Sequence, residues 1–163
     1  MLAPAKMRRF QILLVVLACV PSLSCSSSDS GGSSSGLDGT WQLTNAAGCP
    51  ITIAFKGNTF SQNALCLLTS GNYGVEIENG TYSTSNGEID FLPTQASCPA
   101  NAVADTDPYS IQGQNLIITF GATQAIFQKI TPSTVNGGAV LEDGCWDFST
   151  SPATFTQHPI QTL

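Results

Sequence analysis

The side chains of this chain that can do chemistry are few, and most are thiols or carboxyls. Its 163 residues include six cysteines, eleven Asp or Glu and one histidine. His158 is the only conventional general base near neutral pH. It sits in the C-terminal stretch PATFTQHPIQTL beside Pro159, and no Gly-x-Ser-x-Gly element accompanies it to supply a nucleophile. It reads as a solvated tail residue, and no catalytic residue is nominated. Glu76/Glu78 and Glu88/Asp90 are the carboxylate pairs a glycosidase would need. Each pair alternates with apolar residues, which places the acids on a solvated outer face. Asp105-Thr106-Asp107, with Asn101 nearby, reads as a capped loop, since it lacks the Gly and distal Glu of a calcium loop. No Cys-x-x-Cys is present, so zinc is not expected; neither is any other metal or cofactor.

The cysteines point instead to disulfides. Beyond Cys25 remain Cys49, Cys66, Cys98 and Cys145, an even set suited to two bridges in an oxidising compartment. If Gly57-Asn58 is a two-residue turn, Phe55 faces Phe60 and Cys49 faces Cys66, both at sites without ladder hydrogen bonds, where side chains approach most closely. Cys49–Cys66 is therefore expected, and Cys98–Cys145 by elimination. Pro50 has no N–H to donate at the adjoining position.

These groups must be held by strands, because the apolar period from Leu37 onward is two almost everywhere. Runs at 41–43, 51–55, 73–77, 81–85, 88–92, 109–112, 116–120 and 123–130 alternate apolar and polar residues. Asn79-Gly80 and Asn86-Gly87 fall between runs and suit tight hairpin turns. The expectation is an all-β antiparallel up-and-down meander of eight strands, closed into a barrel to remove its edges. A transmembrane barrel needs longer strands and an apolar outer band, which these runs do not supply.

Leu37-Asp38-Gly39-Thr40-Trp41 resembles the Gly-x-Trp opening of lipocalins and of bacterial lipocalin-like lipoproteins. Gly80-Thr81-Tyr82, Tyr109-Ser110-Ile111 with Gly113 and Leu116, and Ala125-Ile126-Phe127 are similar to the later cadence of that domain, so the resemblance covers about 37–130. It implies an eight-stranded barrel whose closed end is packed by Gly39 and Trp41, with an interior suited to a small apolar ligand. No C-terminal helix of the family is recognisable. Instead the segment 136–163 carries GCWDFS, a last strand or a flap over the barrel. Trp146, beside Cys145 and near Phe155, reads as a cluster pinning the tail to the barrel. The alternative is an aromatic lip, with Trp146, Phe148, Phe120 and Phe127 as candidate ligand-lining residues.

The N-terminus sets location. Met1 to Arg9 is basic and Phe10 to Val20 is an apolar run too short to span a bilayer, which together read as an export signal. The junction resembles a bacterial lipoprotein signal, cut before a cysteine that receives lipid. Val16-Leu17-Ala18-Cys19 matches the lipobox better. Cys25 is followed at once by SSSDSGGSSSG, a flexible tether, and cleavage there leaves the even cysteine set. Cys25 is favoured over Cys19, giving a signal at 1–24, a tether at 25–36 and a barrel domain with C-terminal extension at 37–163. The lipoprotein resemblance implies an envelope protein anchored to a membrane through its lipid, with Ser26 implying the outer membrane. Beyond Cys25 two basic residues face eleven acidic ones, a formal charge of −9 that repels nucleic acid. The overall expectation is a non-enzymatic, lipid-anchored envelope protein with a barrel for a small apolar ligand. The alternative is a surface-interaction module, an envelope assembly factor or protease inhibitor, with a filled barrel; no particular protein partner is identified.

Overall fold

The computed structural model describes residues 36–44, 49–131, 140–150 and 152–163. The export signal, the tether and both candidate lipidation sites, Cys19 and Cys25, lie outside the described residues. Eight strands form the barrel: β1 (Gly39–Leu43), β2 (Ile51–Lys56), β3 (Thr59–Leu67), β4 (Tyr73–Ser85), β5 (Glu88–Ala96), β6 (Asp105–Gln112), β7 (Asn115–Phe120) and β8 (Thr123–Ile130). Each is antiparallel to the next, and β8 returns to β1 through Thr40↔Ile130 to Leu43↔Phe127, closing an up-and-down ring. Closure pairs the first strand with the last, so neither is left as an edge.

Residues paired across strands share a face, so the core identifies the inside. Phe55 opposes Phe60, and Tyr82 opposes Phe91. Phe55 meets the Tyr82 ring edge-on at 4.9 Å, and Phe60 meets Phe91 at 5.1 Å. With Ile53, Ile89, Leu116 and Phe127 they fill the half of the barrel that ends at the Gly57-Asn58 and Asn86-Gly87 turns. Asn86 and Gly87 take φ of 52° and 77°, the left-handed pair that this tight turn requires.

Asn79-Gly80 does not form a turn. It lies inside β4, a single strand of 13 residues, opposite a bulge in β5 where Pro93 pairs with Gly80 and Gln95 with Asn79. One continuous strand has one parity. Because Tyr82 must face the core, Gly80, Glu78, Glu76 and Gly74 face inward with it, and Tyr73, Val75 and Ile77 face outward. The outward assignment of Glu76 and Glu78 is thereby reversed; Glu78 pairs with Ala96 of β5. Glu88 and Asp90 remain outside, flanking the inward Ile89. Asp105 and Asp107 likewise belong to a strand and not a loop, facing inward opposite Phe91 and Ile89.

The C-terminal segment adds β9 (Leu141–Asp147), β10 (Thr154–Gln157) and β11 (Gln161–Thr162). Near Ala96, β5 stops short of the start of β4. The edge this leaves on β4 is taken by β9, running parallel through Tyr73↔Leu141 to Val75↔Asp143. β10 hairpins back on β9, and β11 pairs with Ala96 and Gln95 of β5. Both expectations for this segment are met in one element, since β9 is a strand that continues into a flap.

Candidate functional site

The two ends of the barrel are built differently. At the closed end Trp41 is 1% exposed and its indole N–H donates to the Leu37 carbonyl at 2.7 Å. The Lys129 ammonium stands 5.0 Å from the indole centroid, a cation over a ring face. Gly39 has φ 127°, and a Cβ there would lie 2.8 Å from Lys129 Cε, so the Gly-x-Trp pair serves both backbone and packing. The Asp38 carboxylate accepts the Gly57 N–H at 3.1 Å, tying the chain's entry to the first hairpin turn.

At the opposite end, the mouth, the inner wall mixes small and polar residues, Ala64, Gly74, Glu76, Glu78, Ala96 and Ala125, with the buried Leu43, Ile51 and Ile118. The β9–β10 hairpin covers it. Trp146, 7% exposed, lays its indole against Gly74, whose missing Cβ would otherwise stand 2.7 Å from the ring. Its ring N–H donates to the Gly74 carbonyl at 3.1 Å, and its backbone N–H to Glu76 Oε2 at 2.8 Å. Phe155 lies 4.8 Å and Phe148 6.0 Å from it, centroid to centroid. Gly144 has no room for a side chain, because a Cβ would collide with the Thr156 carbonyl and the Phe155 ring.

Polar and covalent ties hold this hairpin. Ser97 Oγ donates to the Gly144 carbonyl at 2.7 Å and accepts the Ile77 N–H at 2.9 Å, bridging the wall to the flap. Next to it Cys98 is bonded to Cys145, and across the mouth Cys49 is bonded to Cys66, with Cα separations of 5.0 and 4.5 Å. Pro50 takes part in the ladder as an acceptor, its carbonyl receiving the Leu65 N–H at 2.9 Å. Burial pushes the Glu76 carboxyl above its ordinary value, opposed by the Trp146 N–H and by the Asn101 amide.

Trp146 and Phe148 thus meet on the flap. Phe120 reaches the mouth, half-buried at the end of β7. Phe127, 1% exposed, lies deeper, opposite Leu43 and Leu116. Sequence reading missed Glu76, Gly74 and Ser97. The usable signal was the Cys98–Cys145 pairing, which brings Ser97 against Gly144 and forces the flap over β4. His158 is exposed beyond β10, its backbone N–H bonded to the Asp143 carbonyl. Among the described residues no three of His, Cys, Asp or Glu converge as metal ligands. An open groove of ≈ 390 Å³ where β5 and β6 diverge is lined by Asp90, Leu92 and Asp105 among others, but Asp90 there is engaged by the hydroxyls of Thr106 and Ser83.

No sequence-family profile matches this chain, and no curated protein does. Among solved structures it is similar to a lipocalin-like protein from Bacteroides uniformis, with 21% identity over 58% of this chain and 98% of that one, at a TM-score of 0.41. It is also similar to a lipocalin lipoprotein affecting virulence in Streptococcus pneumoniae, with 18% identity over 57% and 91% of the two chains, at a TM-score of 0.37. The domain is a closed up-and-down barrel: eight antiparallel strands in sequence order, joined first to last, with a Gly-x-Trp first strand packing one end.

Proposed function

We propose that this chain is a lipid-anchored, non-enzymatic envelope protein whose barrel receives a small, largely apolar ligand at its mouth. One observation carries the reading: large side chains of the barrel's own strands fill the closed end, whereas the β4–β5 side of the mouth is lined by Gly74, Glu76, Glu78 and Ala96 and is covered by a hairpin outside the closed ladder. Small barrels either fill with their own side chains or hold one small guest, and here the two halves divide those roles. The described chain enters at the closed end, at Leu37. A lipid on Cys25, followed by the tether at 25–36, then holds the mouth away from the bilayer, with the outer membrane as the site of anchoring.

Displacement of a fluorescent fatty acid tests the ligand, and absence of binding by the folded protein overturns it. Labelling with a radioactive fatty acid tests the anchor. Loss of label in Cys25→Ala and retention in Cys19→Ala is expected, while the reverse assigns the lipid to Cys19 and adds six residues to the mature chain.

A second reading rests on the outer wall. Leu67, Tyr73 and Leu141 form a row across β3, β4 and β9, with Leu67 61% and Leu141 57% exposed. An apolar row of this kind suits a protein partner. A cross-linking pull-down from envelope extracts, compared between the native chain and Leu67→Glu, supports this reading if a stoichiometric partner is lost in the variant.

A further inference from the structure

We infer that the seat occupied by Trp146 is the barrel's binding site, that Trp146 is its internal occupant, and that a guest able to take the seat carries an aromatic ring together with an N–H donor. The inference rests on the ligand-binding reading above and names the class of ligand.

The seat belongs to the wall and not to the flap. Gly74 leaves a flat recess, since a Cβ there would stand 2.7 Å from the indole and 2.9 Å from the Phe155 ring. Two acceptors line the recess: the Gly74 carbonyl receives the ring N–H at 3.1 Å, and Glu76 Oε2 receives a backbone N–H at 2.8 Å. A guest that displaces the indole can give its own N–H to the Gly74 carbonyl, while the Trp146 backbone N–H, which any residue except proline retains at 146, stays available to Glu76. A ring bearing an N–H or an ammonium group supplies that donor; a ring bearing a carboxylate places like charge against Glu76.

The occupant is separable from the barrel. The ladder closes through β4–β5 and β8–β1 without β9 or β10. The flap meets the wall through a short parallel pairing, the Ser97 bridge and the Cys98–Cys145 bond. That bond joins the residue next to Trp146 to the wall, so an indole that leaves its seat stays close and competes at high effective concentration. Apparent affinity for a guest is then reduced by the fraction of molecules whose seat is open.

Calorimetric titration of the full chain in detergent with tryptamine, an indole bearing an ammonium, and with indole-3-propionate, the same ring bearing a carboxylate, tests this. Tryptamine is expected to bind Trp146→Ala at least tenfold more tightly than the native chain. Trp146→Phe, which keeps a ring in the seat without its N–H, gives a smaller gain and stands in if the alanine variant fails to fold by circular dichroism. Folded variants should prefer tryptamine over indole-3-propionate, and adding Glu76→Gln should remove the preference. Equal affinity of native and Trp146 variants for tryptamine, or equal affinity for the two probes, overturns the inference. If neither probe binds while a fluorescent fatty acid does, the seat assignment fails and the ligand reading stands; if nothing binds, both fail.

Discussion

Each end of this barrel is closed by a tryptophan whose indole N–H donates to a backbone carbonyl, yet the two are closed by different physics. Trp41 bonds Leu37, four residues away, from within the first barrel strand. Trp146 bonds Gly74, 72 residues away, from a hairpin that the barrel does not need for closure. The first contact is local and forms with the strand that carries it. The second closes a separation of 72 residues at an entropic cost and is sustained by a disulfide, a serine bridge and a half-buried carboxylate. The difference teaches that one end is core and the other is cover, although both indoles are buried to a similar degree.

The largest expected effect separates them directly. Trp41→Ala should cost about 3–5 kcal/mol in global stability by urea denaturation, because it empties the packed end. Trp146→Ala should cost about half as much and should accelerate amide exchange in Thr154–Gln157 before the barrel strands. Equal losses from the two would erase the distinction between core and cover.

Removing the two bridges probes the same contrast. Replacing Cys98 and Cys145 by Ser opens a crosslink spanning 47 residues, worth about 4 kcal/mol by loop entropy, against about 3 for the 17-residue Cys49–Cys66 bridge. The first replacement should also expose Trp146, read as a red shift in fluorescence, while the second leaves that emission unchanged.

Gly74→Ala is a smaller perturbation confined to the mouth. Its methyl would press on the indole and on Phe155, costing about 1–3 kcal/mol by overpacking and shifting near-ultraviolet dichroism. Pairing it with Trp146→Ala in a double-mutant cycle should recover most of that cost.

The smallest effect depends on pH. Burial raises the folded-state pKa of Glu76 above its ordinary 4.5. The folded state therefore holds its proton more tightly, and the associated stability is complete below about pH 4.5 and is lost as pH rises through the raised value. Glu76→Gln should thus raise the melting temperature by a few degrees at neutral pH and by little below 4.5, measured by scanning calorimetry across that range. A gain that is constant across the range assigns the effect to packing instead of charge.

How much was legible follows the same division. The register that pairs Phe55 with Phe60 runs on through Ile51 and Ala64 and the Leu65–Pro50 hydrogen bond to Cys49 and Cys66, so local register placed that bridge. Asn79-Gly80 misled because the same dipeptide serves a turn and the interior of a long strand. Only its neighbour β5, with an extra residue at Thr94, distinguishes the two. A turn there cuts 73–78 off from the parity that Tyr82 sets, which leaves the apolar alternation alone to point Glu76 outward. A strand with Tyr, Val and Ile on one face and Gly and Glu on the other reads as apolar-in, and the inversion holds only because β9 and its tryptophan cover the polar face.

The Gly39–Trp41 end was implied by resemblance, while the sequence by itself determined the all-β class, the sequential antiparallel order and the register that joins Cys49 to Cys66. These follow from a two-residue period, tight turns and contacts between neighbours in the chain, which short-range sterics and burial dictate. Only the tertiary structure decided which face of β4 looks inward, that β9 runs parallel on its spare edge, and that Trp146 sits on Gly74 and Glu76. Those depend on contacts 70 or more residues apart, where the energy of a side chain is set by a neighbour that no local pattern names.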